Sequence, residues 1–221
     1  MQGYLKPAPG GIDAEYAWTK PGGKGTGIKL IDIEGAWNFD HEDLQENQSG
    51  LAGGTMTTNQ CWINHGTSVL GEIGGDENDI GITGIAPECD QRGYSKFGPG
   101  NSTAEAIRGA ADLLSPGDII LIEIHYAGPD APDPLHSQEG YIAIEWYPHE
   151  FLAIKYATSK GIIVVEAAGN GSRDLDAAVF QGRFDRSNRD SGAILVGAGA
   201  PPSGNYGPDR SRLGFSNWGS L

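Results

Sequence analysis

The chain has 221 residues, of which 38% are hydrophobic, so it is long enough to form one domain with a sizeable buried core. Its 29 acidic and 15 basic residues give a net charge of −14, which argues against nucleic acid or an anionic membrane as a partner. No apolar run approaches the roughly 20 residues that span a bilayer, and the first residues lack the features of a secretory signal. We therefore expect neither a membrane anchor nor a signal peptide within this chain.

The first part of the chain is rich in turn-forming residues. Proline and glycine clusters flank a short helical candidate at residues 12–18, in which Ile12, Tyr16 and Ala17 share one face. This pattern predicts an N-terminal arm over residues 1–24, followed by the main domain over residues 25–221.

An acidic residue lies within the first predicted strand. Ile28, Leu30, Ile31 and Ile33 form an apolar run behind a Gly-Thr-Gly turn, which predicts a buried strand of a parallel sheet. Asp32 lies near the carboxyl end of this strand. A carboxylate in that position can hold an imidazole in one tautomer and stabilise its protonated form, so we predict that Asp32 orients a histidine.

The candidate histidine is His65, in the segment N-H-G-T-S-V-L-G at residues 64–71. Gly66 and Thr67 suit the start of a helix, and Gly71 permits a close approach of helix and sheet. We therefore expect the imidazole of His65 to lie at the mouth of the sheet.

The two cysteines leave alternatives open. Cys61 and Cys89 can form one disulfide in an oxidising compartment or remain free thiols. Cys61 also lies four residues before His65, which permits a Cys-His nucleophile. That hypothesis leaves without a role both Asp32 and Asn170, the asparagine of the later segment A-A-G-N.

The rest of the chain alternates predicted helices with apolar strands, which is typical of an α/β domain. The predicted helices are residues 102–114 and 151–160, and the predicted strands are residues 119–124, 161–171 and 191–198. Residues 129–148 form an insertion whose aromatic side chains either line substrate pockets or cover a loop. The many charges at residues 173–189 predict an exposed loop.

A third polar residue, Asn170, ends the strand at residues 161–171 in the segment A-A-G-N. Together with the Asp32 strand, H-G-T-S-V-L-G at residues 65–71 and F-S-N-W-G at residues 215–219, this segment resembles the subtilisin-like serine peptidases, or subtilases. The resemblance implies a three-layer, doubly wound α/β sandwich with a mostly parallel central sheet, incomplete at its C-terminus. It also implies peptide-bond hydrolysis by Asp32, His65 and a serine, with Asn170 as an oxyanion donor. The family's D-[TS]-G is D-I-E-G here, at residues 32–35.

The resemblance further implies a peptide-binding cleft with a protein or peptide as substrate. In subtilases the strand that follows residues 119–124 offers a free edge, to which the substrate adds as an extended strand. The implied substrate-binding residues lie on the two walls of this cleft: Ile124, His125, Tyr126, Ala127, Gly128, Ala167, Ala168 and Gly169. The family's S-[LF]-G is replaced by E-I-H-Y-A-G at residues 123–128, so we expect the subsites to differ.

Calcium is the cofactor that the resemblance implies. The loop at residues 74–87 and the D-H-E-D-L turn at residues 40–44 are similar to subtilase segments that enclose a structural Ca²⁺ with oxygen ligands. The implied ligands are Gln2, Asp43 and Asn78 through side chains, with Asp76, Ile80 and Ile82 through main-chain carbonyls. An acidic, solvated loop without metal is the alternative.

The nucleophile has no counterpart among these residues. Subtilases carry it in G-T-S-[MA]-[AS]-x-P, whereas Ser68 belongs to the histidine segment and Ser216 and Ser220 lack that context. We expect either that a C-terminal chain supplies the serine, that the chain is cut short, or that the domain binds peptides without catalysis. A hydrolase acting on another acyl bond is disfavoured because no G-x-S-x-G occurs.

The resemblance also implies a secreted or otherwise extracytoplasmic protein.

Overall fold

The computed structural model describes residues 2–202 and 204–220. Helices and strands alternate along most of this length. The α-helices are α1 Ala14–Trp18, α2 Gln60–Gly74, α3 Thr103–Leu113 and α4 Pro148–Ser159. The strands are β1 Lys29–Glu34, β2 Gln48–Gly53, β3 Asp90–Ser95, β4 Ile119–Ile122, β5 His125–Ala127, β6 Tyr141–Ala143, β7 Ile163–Ala167 and β8 Ile194–Val196. Short 3-10 helices span Gly3–Leu5, Ile144–Trp146 and Ala178–Phe180.

A parallel sheet forms the centre of the described part of the chain. Its six strands follow the order β2-β3-β1-β4-β7-β8, and β5 and β6 form a separate antiparallel pair. The strand order reverses between β1 and β4, and a crevice is expected where the carboxyl ends of two such strands diverge. The predicted doubly wound α/β fold with a mostly parallel sheet is confirmed.

The main core lies between the sheet and the helices α3 and α4. Alternate strand side chains, including Ile33, Ile122 and Val164, pack there against residues such as Ile107 and Ile154. Helix α2 lies on the opposite face of the sheet, because β1 residues of the other parity contact it. This arrangement gives three layers.

Helix α2 begins earlier than predicted. Its first residue is Gln60, and the side chain of Asn59 caps it by accepting a hydrogen bond from the Cys61 N–H at 2.9 Å. His65 is therefore in the helix rather than ahead of it. Gly66 serves close packing instead of a helix start, since a Cβ there would lie 2.5 Å from the carbonyl oxygen of Ala36.

The prediction of an exposed loop at residues 173–189 is wrong in part. Leu175, Phe180 and Phe184 are buried in a satellite core with Ile142 of the insertion, against which Trp146 also packs. Charged side chains share this segment with the apolar ones, so composition alone concealed the core. The predicted helix at residues 12–18 is shorter, and its expected apolar face is solvated, since Ile12 and Tyr16 are exposed.

One part of the sheet leaves apolar side chains in solvent. On the α2 side of β7 and β8, Ile163, Ile194 and Val196 are 44%, 55% and 47% exposed. Their neighbours Val164 and Leu195 point to the packed side. Exposed apolar surface of this kind marks a place that another segment can cover.

Among residues 2–202 and 204–220, none of the helices has both the length and the apolar character required to cross a bilayer.

Candidate active site

A cavity of about 630 Å³ opens at the carboxyl ends of the parallel strands. It brings together residues from α2, from the segments that follow β3 and β4, and from the end of β7. The lining residues are Cys61, Trp62, His65, Lys96, Glu123, Ile124, His125, Tyr126, Gln138, Tyr141, Ala167 and Asn170. The predicted residues His65 and Asn170 thus share one cavity with Ile124, His125, Tyr126 and Ala167.

The other predicted substrate residues, Ala127, Gly128, Ala168 and Gly169, do not line this cavity. Ala127 lies opposite Tyr141 in the β5–β6 ladder, and the N–H of Gly128 donates to the Gly140 carbonyl at 2.8 Å. The carbonyl of Ala168 accepts a hydrogen bond from Asn217 Nδ2 at 2.7 Å. Gly169 has a φ of 97°, a left-handed conformation that favours glycine and turns the chain into Asn170.

The imidazole of His65 contacts a carboxylate other than Asp32, the partner that the sequence analysis predicted. Nδ1 of His65 lies 2.9 Å from Oε1 of Glu34, the last residue of β1. The His65 side chain is 54% exposed, whereas that of Glu34 is fully buried. Because Nδ1 is engaged by Glu34, Nε2 is the ring nitrogen left for a reacting group.

The predicted contact between Asp32 and His65 is corrected by this geometry. The carboxylate of Asp32 accepts a hydrogen bond from Trp37 Nε1 at 2.8 Å, and its other oxygen is buried without a partner. Asp32 and Glu34 point to the same face because they are two residues apart in β1. At about 3.3 Å per residue, Asp32 is set back roughly 6.6 Å from the end of the strand, where His65 lies.

Burial gives the acidic groups of this site unusual pKa values. The pKa of Glu34 is raised to about 9, first by burial and then by the nearby charge of Glu123. The pKa of Asp32 is raised well above its usual value by burial and by Glu34, and burial also raises that of Glu123. Near pH 7 the raised pKa keeps Glu34 protonated. A positive charge on His65, which develops when a general base accepts a proton, would lower that pKa and favour the ionised carboxylate.

Asn170 is held at the cavity by two contacts. Its backbone N–H donates to Nδ1 of His125 at 3.1 Å, and its side-chain Nδ2 donates to Oε1 of Gln138 at 3.2 Å. Burial lowers the pKa of His125 to about 4, so this imidazole is neutral near pH 7 and can accept the hydrogen bond.

The insertion at residues 129–148 reaches the cleft. Its strand β6 pairs with β5, so one edge of the strand that was expected to offer a free edge to the substrate is occupied. The Tyr147 hydroxyl also donates to the carbonyl of Ala127. Among the aromatic residues of the insertion, Tyr141 lines the cavity while Trp146 packs on the satellite core. Sequence reasoning missed Gln138 and Lys96, because no motif marks either residue.

The two cysteines are free thiols. Cys61 is exposed and lines the cavity, whereas Cys89 is buried. Among the described hydrogen bonds Cys61 contributes no side-chain contact to His65, whose Nδ1 is engaged by Glu34.

The segments of the expected calcium site lie together. Oδ2 of Asp43 accepts the Ile82 N–H at 2.7 Å, while its Oδ1 is buried without a partner. Oε1 of Gln2 accepts the Thr83 N–H at 2.9 Å, and Oδ1 of Asn78 accepts the Ile80 N–H at 2.7 Å. The carboxylate of Asp76 accepts two backbone N–H groups, from Gln45 and Glu46.

This donor set suits a hard cation only. Among the described residues, no group of three or more His, Cys, Asp or Glu side chains is placed to hold a metal ion. The oxygens near Asp43 come instead from one buried carboxylate, two amides and the loop backbone. Oxygen donors of these kinds are the ones that Ca²⁺ prefers, and the buried, unpartnered Oδ1 of Asp43 fits a cation.

Several proteins and structures are similar to this chain. "Subtilisin" from Bacillus sp. (strain TA39) is 29% identical over 179 residues, which cover 73% of this chain and 39% of the relative. "Calcium-dependent protease" from Trichormus variabilis (strain ATCC 29413 / PCC 7937) is 28% identical over 186 residues, 74% of this chain and 26% of the relative. The crystal structure of the nisin leader peptidase NisP from Lactococcus lactis superposes with a TM-score of 0.61 at 23% identity, covering 95% of this chain and 63% of that one.

These coverages bear on how far the likeness extends. The chain spans less than two thirds of the length of each of these proteins. The model of the subtilase family matches residues 11–212, nearly the whole chain. The parallel sheet, the histidine on α2 and the asparagine after β7 therefore lie within the matched region, and the chain belongs to the subtilase family.

Proposed function

We propose that this chain provides the general base, its carboxylate partner and an oxyanion donor of a subtilisin-type serine endopeptidase. The observation that carries this proposal is the 2.9 Å contact between Glu34 and His65 at a cavity that Asn170 also lines. In the proposal Glu34 takes the role that the sequence had assigned to Asp32.

The proposed chemistry follows from these groups. A serine hydroxyl attacks the peptide carbonyl, its proton passes to Nε2 of His65, and the imidazolium is stabilised by Glu34. The His65 proton then goes to the leaving amine as the C–N bond breaks, and water hydrolyses the acyl-enzyme. Nδ2 of Asn170 donates to the negative oxygen of the tetrahedral intermediate, an interaction worth about 3 to 4 kcal/mol in comparable sites.

The serine is proposed to come from a segment outside residues 1–221. The exposed side chains of Ile163, Ile194 and Val196 support this, because they form an apolar face on the same side of the sheet as α2 and His65. A segment that covers this face would bury apolar area on the side of the sheet that carries α2 and His65.

The test is active-site labelling of the full-length protein encoded by the gene. We expect hydrolysis of a denatured protein substrate, inhibition by a fluorophosphonate, and a labelled serine that mass spectrometry places outside residues 1–221. A labelled serine within residues 1–221, or hydrolysis that the fluorophosphonate leaves unchanged, would contradict the proposal. A His65→Gln variant should neither hydrolyse the substrate nor react with the probe.

A non-catalytic peptide-binding domain is the second candidate. Two observations favour it. The side-chain amide of Asn170 already donates a hydrogen bond to Gln138. The pKa of Glu34, at about 9, leaves its carboxyl protonated near pH 7. Such a domain would bind peptides in the cavity but would leave them intact, and the labelling experiment separates the two candidates.

We also propose a structural Ca²⁺ at the loop around Asp43. Asp43, Asn78 and Gln2 would hold the ion through side chains, and Asp76, Ile80 and Ile82 would hold it through main-chain carbonyls. The support is the unpartnered Oδ1 of Asp43 and the similarity to a protein named a calcium-dependent protease. When bound, the ion would fix the loop against the turn that carries Asp43.

An extracytoplasmic location is proposed from the family resemblance alone. Cell fractionation with antibodies against this domain tests it, and detection only in the cytoplasmic fraction would contradict it.

A further inference from the structure

Lys96 is the one lysine or arginine among the described residues that line the cavity, and it directly follows β3. Its backbone N–H donates to the carbonyl of Glu34 at 2.8 Å, so its position is tied to the strand that carries the His65 partner. The backbone of Lys96 is therefore fixed beside the end of β1, and its side chain belongs to the lining of the cavity that contains His65 and Asn170.

Three aromatic rings surround the ammonium group of Lys96. Nζ of Lys96 lies 5.0 Å from the ring centroid of Tyr126, 5.4 Å from that of Phe97 and 5.6 Å from that of Trp62. The faces of aromatic rings attract cations, so the three rings hold the side chain near the cavity instead of allowing it to extend into solvent.

No acidic partner neutralises Lys96 in the described chain. Lys6, Lys24 and Lys160 form ion pairs, but no described carboxylate comes within 4.0 Å of Nζ of Lys96. Glu123 lines the same cavity and Glu150 exerts only a longer-range attraction. Burial lowers the pKa of Lys96, which is the expected consequence of a cation without a close counter-charge.

We propose that Lys96 selects peptide substrates with an aspartate or glutamate close to the scissile bond. An incoming carboxylate would pair with the ammonium inside a partly desolvated, aromatic-lined site, where such a pair is stronger than on an open surface. The inference rests on the proposed peptidase function and names its substrate class.

The net charge of the whole chain would repel the acidic peptides that Lys96 is proposed to select, so the proposal can be distinguished from a general electrostatic effect. A net charge of −14 disfavours acidic peptides at long range. A preference for an acidic residue at one position would therefore be a local effect of the cavity, not of the general field.

The test uses pairs of ten-residue peptides that differ only by Asp or Asn at one position, scanned along the peptide. Binding is measured by isothermal titration with the chain and its His65→Gln form, and cleavage is measured with the full-length protein. We expect the Asp peptide to be preferred by about 10- to 100-fold at one or two adjacent positions, the range of a charge-assisted hydrogen bond.

Three variants assign this preference. Lys96→Met, which keeps the length of the side chain without its charge, should remove the preference while leaving the Asn peptide bound as before. Lys96→Arg should retain the preference. Lys20→Met, which removes an exposed positive charge on the N-terminal arm, should change nothing. Thermal unfolding of Lys96→Met should occur no earlier than in the parent chain, because the substitution removes an unpaired, partly buried charge.

Each outcome is decisive. Equal binding or cleavage of Asp and Asn peptides, or a preference that Lys96→Met retains, would overturn the role of Lys96. Selective binding without cleavage would support Lys96 and count against the peptidase. If no peptide is bound or cleaved, both proposals fail.

Discussion

Glu34 Oε1 lies 2.9 Å from His65 Nδ1, and the two residues come from different layers of the fold. Glu34 ends the central strand β1, while His65 lies on α2. Because the carboxylate is fully buried and the imidazole is half exposed, the pair presents one free ring nitrogen to the cavity. When Glu34 is ionised and accepts a hydrogen bond from Nδ1–H, this is the arrangement that a general base requires.

The raised pKa of Glu34 predicts a particular dependence of stability on pH. The folded chain keeps a proton on Glu34 up to about pH 9, whereas the unfolded chain releases it near pH 4.5. Stability should therefore fall as pH rises between these values. Glu34→Gln should make this fall shallower, as measured by urea unfolding at several pH values.

Two observations control the pH experiment. Glu42→Gln, at an exposed glutamate, should leave the slope unchanged. Some fall should remain in Glu34→Gln, because the pKa values of Asp32 and Glu166 are also raised by burial. A slope identical in Glu34→Gln and the parent chain would show that Glu34 ionises normally.

The side-chain amide of Asn170 should contribute to the transition state of the proposed reaction. In the full-length protein, Asn170→Ala should lower kcat by about 10²- to 10³-fold with little change in KM, because the oxyanion exists only in the transition state. Gln138→Ala should instead raise kcat modestly, since it frees the Asn170 amide from a competing acceptor. If Asn170→Ala affects KM alone, the residue binds the substrate rather than the oxyanion.

Two N-terminal caps provide a matched pair for testing how α2 positions His65. The side chain of Asn59 caps α2, and that of Ser102 caps α3. Each Ala substitution should lower the free energy of unfolding by about 1 kcal/mol. Only Asn59→Ala should also lower kcat, because α2 carries the histidine. Equal effects of both variants on kcat would mean that the loss follows general stability.

Calcium should raise the unfolding temperature if the proposed site is occupied. A ligand at a hundredfold excess over its Kd stabilises the folded state by about 2.7 kcal/mol, so differential scanning calorimetry with CaCl₂ and with EDTA can detect it. Asp43→Asn should abolish the shift, whereas Asp40→Asn, in the same turn but exposed, should retain it. A shift that persists in Asp43→Asn would place the ion elsewhere.

Local motifs were enough to predict part of the site. His65 and Asn170 each lie in a short segment with adjacent glycines that permit close packing or a tight turn. The structure brings both residues to one cavity. The apolar runs at β1, β4 and β7 likewise predicted the centre of the sheet, because buried parallel strands need apolar residues on both faces.

Other features depended on contacts that the sequence does not encode locally. The choice between Asp32 and Glu34 is decided by where α2 crosses the end of β1, since both residues share one face. Strand β3 has no apolar run, and it forms through its pairing with β1 on one side and β2 on the other. Strand β6 exists through its pairing with β5, which no pattern in the insertion indicates.

The central claim is that Glu34, and not Asp32, holds the imidazole of His65. It is tested most directly by side-chain ¹⁵N NMR of the histidines, recorded above the Glu34 pKa of about 9, with His65→Gln to assign the signal. We predict that the parent chain and Asp32→Asn both show a protonated, hydrogen-bonded Nδ1 in His65, and that Glu34→Ala, which has no side-chain acceptor, loses this signal. A signal that survives in Glu34→Ala and disappears in Asp32→Asn would contradict the claim.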